Sequence, residues 1–319
     1  MIVTESTPKQ GIVSLLILGA GWTSNFLIPL LKREGIKHAA TTTNGRNGTI
    51  PFKFDPESDD NAPFEVLPSA KTVLITFPLV GQGQASRLVE AYKATHPDIQ
   101  GPHYIQFGVT SIWNGPGWQD ENSPYDAANP RAVAEDELMR VASSSSSSSA
   151  GGGAAVLSLA GLYGADRQPR NWVRRVITSK ETLRGKGALH VIHGEDVARA
   201  VVTLHRKFTP GKRWILCDLH VYDWWDLVED WAVQTLGGDN GDRDKEDRDN
   251  GGKDKGGKGA EVDEAERKWQ GDLLSWVGEL MVEEGVRALP RDSEAVGRRL
   301  DGRGFWRYMG IWPTQGRIR

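Results

Sequence analysis

Residues 14–24 read Ser-Leu-Leu-Ile-Leu-Gly-Ala-Gly-Trp-Thr-Ser, an apolar run that breaks into Gly-x-Gly and then opens an amphipathic stretch. This spacing suits the binding of two linked phosphates. Gly19 permits a tight turn, and Gly21 lets the backbone approach a pyrophosphate closely. A helix beginning near Thr23 would turn its first amides and its positive dipole end toward that anion, with Trp22 at the turn. Ser24 stands where a third small residue allows helix and strand to pack closely. A dinucleotide site is therefore expected here; a simple turn is the bland alternative.

The second strand decides the cofactor type. An acid at its end, about 20 residues past the glycines, would hold a ribose 2′-hydroxyl. Residues 41–46 read Thr-Thr-Thr-Asn-Gly-Arg and contain no acid. A carboxylate would repel a 2′-phosphate, whereas Arg46 can pair with one in bidentate geometry, beside Asn44. The expected cofactor is NADP, with NAD as the alternative if Arg46 is only a solvated turn residue.

Other chemistries find little support. The chain contains no P-loop, no His-Glu-x-x-His, no Gly-x-Ser-x-Gly and no paired Cys-x-x-Cys. Its single cysteine, Cys217, excludes an internal disulfide and any multi-cysteine metal site, so no metal is expected. It falls in the strand-like residues 214–217, which reads as a buried, inert thiol in a reducing, cytoplasmic setting. A net charge of −3 over 319 residues offers no basic field for nucleic acid or an anionic membrane. No apolar run approaches the roughly 20 residues of a membrane span. The first ten residues carry neither a secretory nor an Arg-rich presequence pattern.

The elements that must position these residues alternate. Apolar runs at 15–18, 38–43, 49–54, 72–76, 103–107, 155–159 and 214–217 read as strands. Helical patterns fall between them, at about 23–31, 84–95, 131–141 and 195–206. Repeated βαβ units of this kind predict a doubly wound α/β fold around a parallel sheet. The predicted domains are residues 11–220 and a smaller, mostly helical lobe over 221–319, which holds a helix at 264–284. Eight of the twelve tryptophans lie between 214 and 312, which reads first as a tryptophan-packed core and second as an aromatic substrate pocket. Residues 143–153, serines followed by glycines, read as a flexible loop. Residues 239–258 carry seven acids and six bases with no large apolar side chain and read as a solvated, disordered insert.

Taken together, these stretches resemble the atypical extended short-chain dehydrogenase/reductases of the NAD(P)-dependent epimerase/dehydratase family. The resemblance is carried by residues 19–24 (GAGWTS), 109–115 (VTSIWNG), 157–164 (LSLAGLYG) and 190–200 (HVIHGEDVARA), and loosely by 298–313. It implies a Rossmann sheet with the cofactor lying across the carboxyl ends of the strands. The contacts implied are Gly19, Gly21, Trp22, Thr23, Ser24, Asn44, Arg46, Phe77, Pro78 and Gly161. A substrate side is implied near Thr110, Ser111, Tyr163 and His193, facing the C-terminal lobe. Asp55 is read either as an adenine neighbour, as in relatives, or as a turn residue before Pro56.

The chain also departs from the family. The proton-donating Tyr-x-x-x-Lys should open the helix near Asn129, where the residues are Asn-Pro-Arg-Ala-Val. Tyr125 is followed four residues on by Asn129 and does not replace the motif. The serine expected to hold a substrate carbonyl aligns with Val109, although Thr110 and Ser111 adjoin it. Two functions stay open. One is an NADP-dependent oxidoreductase or epimerase-like enzyme acting on a small carbonyl, alcohol or sugar-like substrate, with Tyr125, Tyr163 or His193 as a relocated acid. The other is a nucleotide-binding sensor or scaffold without turnover. His193 also reads as a structural histidine, and Asp196 as a helix cap. The expected partner is a small-molecule substrate, with neither nucleic acid nor membrane; a homodimer is left open.

Overall fold

The computed structural model describes residues 11–99, 101–144, 152–237 and 264–318. Seven parallel strands form the main sheet: β1 Val13–Leu18, β2 His38–Thr42, β3 Ile50–Pro51, β4 Ala70–Ile75, β5 His103–Val109, β6 Gly153–Leu159 and β7 Arg213–Leu216. Their spatial order is β3-β2-β1-β4-β5-β6-β7. In register, Leu16 pairs with Ala39 on one side and Val73 on the other, and Gly108 pairs with Ser158. The crossovers are α1 Ser24–Arg33, α2 Gln84–Thr95, α3 Pro130–Ser144 and α4 Gly194–Arg206. The doubly wound prediction is met, with the Rossmann order of strands.

The pattern of burial explains why the strands were readable. Leu15, Leu16, Ile17 and Leu18 are all fully buried, because helices cover both faces of a parallel sheet. The third predicted strand shrinks to Ile50–Pro51, since Pro51 has no N–H for the ladder. Cys217 lies just past β7; it is fully buried, and burial pushes its thiol up to about 12. Ser143 and Ser144 belong to α3 and Gly153 to β6, so the predicted loop over 143–153 gives up both its ends to regular structure. Its middle, and the insert predicted over 239–258, fall outside the described residues.

The chain divides into two compact units, and not at one point near residue 220. The first unit takes residues 1–164, 191–219 and 300–315; the second takes 165–190, 220–299 and 316–319. The sequence reading expected domains over 11–220 and 221–319. Residues 165–190 join the second unit, where the Trp225 indole donates to the Leu183 backbone carbonyl at 2.9 Å. Residues 300–315 join the first, where the Trp306 indole donates to Cys217 O at 3.0 Å.

In the second unit, helices α5 Trp224–Gly237 and α6 Glu264–Glu283 pack on each other. Trp224, Trp225 and Trp231 of α5 are buried. The Arg291 guanidinium lies 3.9 Å from the Trp225 ring and pairs with the buried Asp223 at 2.6 Å. Together with Trp214 and Trp306 in the first unit, these make tryptophan packing the main use of the C-terminal tryptophans.

Candidate functional site

In the strand order the direction of winding reverses between β1 and β4. A crevice opens at such a reversal, outside the carboxyl ends of the strands. The residues following β1 and β4 meet there. Gly19 has φ +93°, and a Cβ added to it would come within 2.7 Å of Thr76 Oγ1 and 3.2 Å of a Phe77 ring carbon. Its N–H donates to Thr41 Oγ1 at 2.9 Å, and the Ala20 N–H donates to Thr41 O at 2.6 Å. Gly19 is thus fixed by the fold itself.

Gly21 differs. A Cβ there would meet no atom within 4 Å, and the residue is exposed. Nothing crowds the side-chain position, although its N–H donates to Gly19 O at 2.8 Å and its carbonyl accepts from the Ser24 N–H at 3.0 Å. The start of α1 beside it has Thr23 as its cap residue, with no side-chain hydrogen bond capping the helix. Thr23 and Ser24 are buried, and Trp22 packs edge-on against Phe26 with centroids 5.0 Å apart. The positive end of α1 therefore looks out beside an uncrowded glycine, an arrangement that fits a pyrophosphate.

The neighbouring turns supply the rest of the crevice. The Phe77 ring stacks on Phe54 at 5.8 Å, which gives an apolar wall next to Gly19; Pro78 is exposed. Phe54 was missed in the sequence, although it stands at the end of the third apolar run. Asn44 and Arg46 follow β2, both exposed, and the Asn44 side chain accepts from the Thr42 hydroxyl at 3.3 Å. Among the described residues the Arg46 side chain makes no hydrogen bond or ion pair. Asp55 accepts the Glu57 N–H at 3.1 Å, the turn role of its two readings.

On the substrate side, Thr110 is buried at the start of the turn Thr110–Ile112, and Ser111 is exposed. Gly161 begins the short strand Gly161–Tyr163, which pairs in parallel with Val191–His193 and so aligns Tyr163 with His193. Their rings meet edge-on at 5.0 Å, and His193 meets Phe26 at 5.4 Å. The His193 imidazole lies so close over Gly164 that a Cβ there would fall 2.4 Å from Nε2.

Neither ring is tuned as an acid. His193 Nδ1 accepts the Glu195 N–H at 3.2 Å, which makes His193 the cap of α4, and burial holds its imidazole below the usual range. Burial pushes the Tyr163 hydroxyl up to about 12, and Asp218 and Asp196 add to the rise. A general acid works best with a pKa near the working pH, and Tyr163 is moved the other way. Tyr125 donates to the Asp136 carboxylate at 3.0 Å, and burial also raises its hydroxyl.

Asp196, read from the sequence as the cap, sits inside the first turn of α4 instead. It is fully buried and accepts from the Thr314 and Gln315 N–H groups at 3.0 and 3.2 Å and from Arg199 at 2.8 Å. It holds the residues after the helix Arg303–Met309 rather than a helix end.

One polar group escaped the sequence reading altogether. Glu135 of α3, only 1% exposed, lies against β5, where a Cβ on Gly108 would come within 2.7 Å of its Oε1. Arg213 approaches it at 3.3 Å and pairs with Asp136 at 2.9 Å, while Arg131 donates to Phe107 O at 2.9 Å. Burial pushes the Glu135 carboxyl up to about 7 against the pull of both arginines. Gly108 in a strand, opposite an acid on the following helix, was the available signal. Among the described residues, no group of three His, Cys, Asp or Glu side chains is placed to hold a metal ion.

The sheet, its reversal point and the glycine turn together define a Rossmann-type nucleotide-binding fold. Solved structures agree on the fold. A conserved protein of unknown function from Silicibacter pomeroyi superposes with a TM-score of 0.58 at 18% identity, covering 96% of this chain and 95% of that one. MoeE5, solved with UDP-glucose and NAD, gives 0.54 at 15% identity over 95% of this chain and 94% of its own. A UDP-N-acetylglucosamine 4-epimerase from Bacillus cereus gives 0.51 at 12% identity over 86% and 100%. The likeness shows the shared Rossmann-type fold. No family model and no curated protein matches the sequence. No helix among the described residues is long and apolar enough to cross a membrane.

Proposed function

We propose that this chain binds a nicotinamide dinucleotide at the β1–β4 crevice, with NADP preferred over NAD. One observation carries the reading: the Cβ position of Gly21 opens to empty space beside the start of α1, which no side chain caps. The residues present fit the group. Gly21, Trp22 and Thr23 would hold the pyrophosphate, Phe77 and Pro78 would line the crevice, and Arg46 with Asn44 would meet a 2′-phosphate. The bound nicotinamide would supply hydride chemistry; this chain's part is to orient it and to move a proton.

The oxidoreductase or epimerase-like reading, on a small carbonyl, alcohol or sugar-like substrate, would use Thr110 and Ser111 to position an oxygen and His193 to move the proton. The rival reading, a sensor or scaffold that binds without turnover, is favoured by one specific finding. His193, Tyr163 and Tyr125 are each engaged in the fold, and the two tyrosine hydroxyls are raised rather than lowered. A thermal-shift series with NADPH and NADH, followed by NADPH consumption against a panel of carbonyl compounds, tests both parts. Stabilisation with turnover lost in His193→Ala supports the enzyme; stabilisation without turnover supports the sensor. No stabilisation by either nucleotide rejects the proposal.

A further inference from the structure

Between α3 and strands β5, β6 and β7 lies a buried polar cluster that the dinucleotide reading does not use. Five of its side chains carry seven buried atoms that complete no hydrogen bond: Gln106 Oε1, Arg131 Nε, both Glu135 oxygens, Ser158 Oγ, and Arg213 Nε and Nη1. Orphaned donors and acceptors stand together here, and each is costly when buried. The cluster is built into the sheet. A Cβ on Gly108 would fall 2.7 Å from Glu135 Oε1 and 2.6 Å from Val156 Cγ1, so a glycine is needed to seat the acid. Ser158 pairs with Gly108 in register, and Arg213 pairs with Val156.

The two guanidinium groups are directed elsewhere. Arg131 donates through Nη2 to Phe107 O at 2.9 Å, and Arg213 through Nη2 to Asp136 at 2.9 Å. Arg213 Nη2 still lies 3.3 Å from Glu135 Oε2. This arrangement suits a neutral acid. Burial raises the proton affinity of Glu135 and Asp136 adds to the rise, while Arg213, Arg131 and the Val109 amide oppose it. Tyr125 donates to Asp136 at 3.0 Å and its ring lies 4.4 Å from the Arg213 guanidinium. Strands β5 and β6 bring uncharged side chains, Gln106, Val156 and Ser158. Phe107 O is the link to the crevice. It also accepts the Gln106 side-chain amide at 2.9 Å, and that amide donates to Phe77 O at 3.0 Å. Phe77 is the residue whose ring lies against the glycine turn.

We propose that Glu135 is a proton switch for the β1–β4 crevice, acting through Arg131, Phe107 O and Gln106 on Phe77. With the proton on, Arg131 stays on Phe107 O. When the proton passes to bulk water, the carboxylate competes for the guanidinium, because a charge-assisted bond is about twice as strong as one to a neutral carbonyl. Arg131 then turns its orphaned Nε–H to Glu135 and leaves Phe107 O to Gln106. The Gln106 amide is drawn from Phe77 O, and the wall beside Gly19 loosens. The consequence for a bound nucleotide rests on the reading above: affinity is higher with the proton on and falls as pH rises.

The test is NMR of the full chain labelled with nitrogen-15 arginine and phenylalanine, followed across the Glu135 titration. Arg131→Lys and Phe77→Leu assign the two signals read. The Arg131 Nε–H and Phe77 amide signals are expected to shift together with a midpoint at about 7. Glu135→Gln should hold both at their acid-side positions. Gln106→Leu, which cuts the chain of bonds, should leave Phe77 flat while Arg131 still responds. NADPH affinity should fall at least about fivefold across the same range in the wild type, beyond any change in Glu135→Gln. That comparison removes the titration of the nucleotide's own 2′-phosphate. Signals that stay fixed in the wild type, or move alike in Glu135→Gln, overturn the switch. Moving signals with the same pH dependence of NADPH affinity in both proteins overturn its link to the crevice. Absence of NADPH binding at every pH contradicts the nucleotide reading instead, and the two signals still decide the switch.

Discussion

Gly19 and Thr76 are in such close contact that a single methyl on the glycine would lie 2.7 Å from the threonine hydroxyl. Two residues further on, Gly21 has nothing within 4 Å of the same position. One glycine of the pair is required by the fold, and the other is left bare toward solvent. The two can therefore be separated by experiment.

Gly19→Ala should destabilise the protein by about 1–3 kcal/mol, since it adds both a contact below 3 Å and an L side chain at φ +93°. Chemical denaturation is the measurement. Gly21→Val should unfold with the wild-type midpoint, because its side chain enters open space.

Arg46→Ala should lower affinity for NADPH about tenfold, the loss of roughly 1.4 kcal/mol from one charge-assisted contact, and leave NADH affinity unchanged. Fluorescence titration of both nucleotides decides it. Equal losses for the two would remove Arg46 from the 2′-phosphate.

Glu135 predicts an inverted pH response. Its folded carboxyl is raised from 4.5 to about 7, so the folded state binds the proton more tightly than the unfolded chain does. Its contribution to stability is fully present below about 4.5 and is lost as pH rises through 7, on the order of 3 kcal/mol. Glu135→Gln, which mimics the neutral acid, should match wild type near pH 5 and exceed it at pH 8.

His190 acts in the opposite direction. Burial, aided by Arg298, holds its imidazole down at about 4 against an ordinary 6.5. Stability from the neutral ring is present above about 6.5 and is lost as pH falls toward 4. His190→Gln should weaken the protein near neutrality yet make its loss of stability between pH 6.5 and 4 shallower, as followed by melting curves.

Asp196→Ala should cost about 3–5 kcal/mol, because it leaves buried amides and Arg199 without their carboxylate. Faster hydrogen exchange at Thr314 and Gln315 would mark the released segment.

The sheet was legible because a strand covered on both faces is spelled in uninterrupted aliphatics, as at Leu15–Leu18 and Val73–Ile75. Helix α2 was read at its observed bounds for a related reason: its apolar face, Leu88, Val89 and Tyr92, is buried in the core. Asp196 was misread because its partners are about 118 residues away, where no local pattern reaches. Glu135 and Arg131 were passed over because charged residues on a helix ordinarily face water, and only the arrival of Arg213 from β7 makes the inward position tolerable. Residues 165–190 show no change of composition, and their place in the second unit depends on contacts such as Leu183 with Trp225. Of the candidate site, the glycine turn was readable from spacing. His193 had two readings, substrate-facing or structural; its capping bond from the Glu195 N–H is visible only in the fold.

The most direct test is isothermal titration of NADPH into the wild-type chain and into Gly21→Val, with circular dichroism confirming that both are folded. The account predicts saturable binding by the wild type and at least a tenfold loss in the variant. Equal affinity for the two proteins, or no heat from the wild type at millimolar NADPH or NADH, would contradict it.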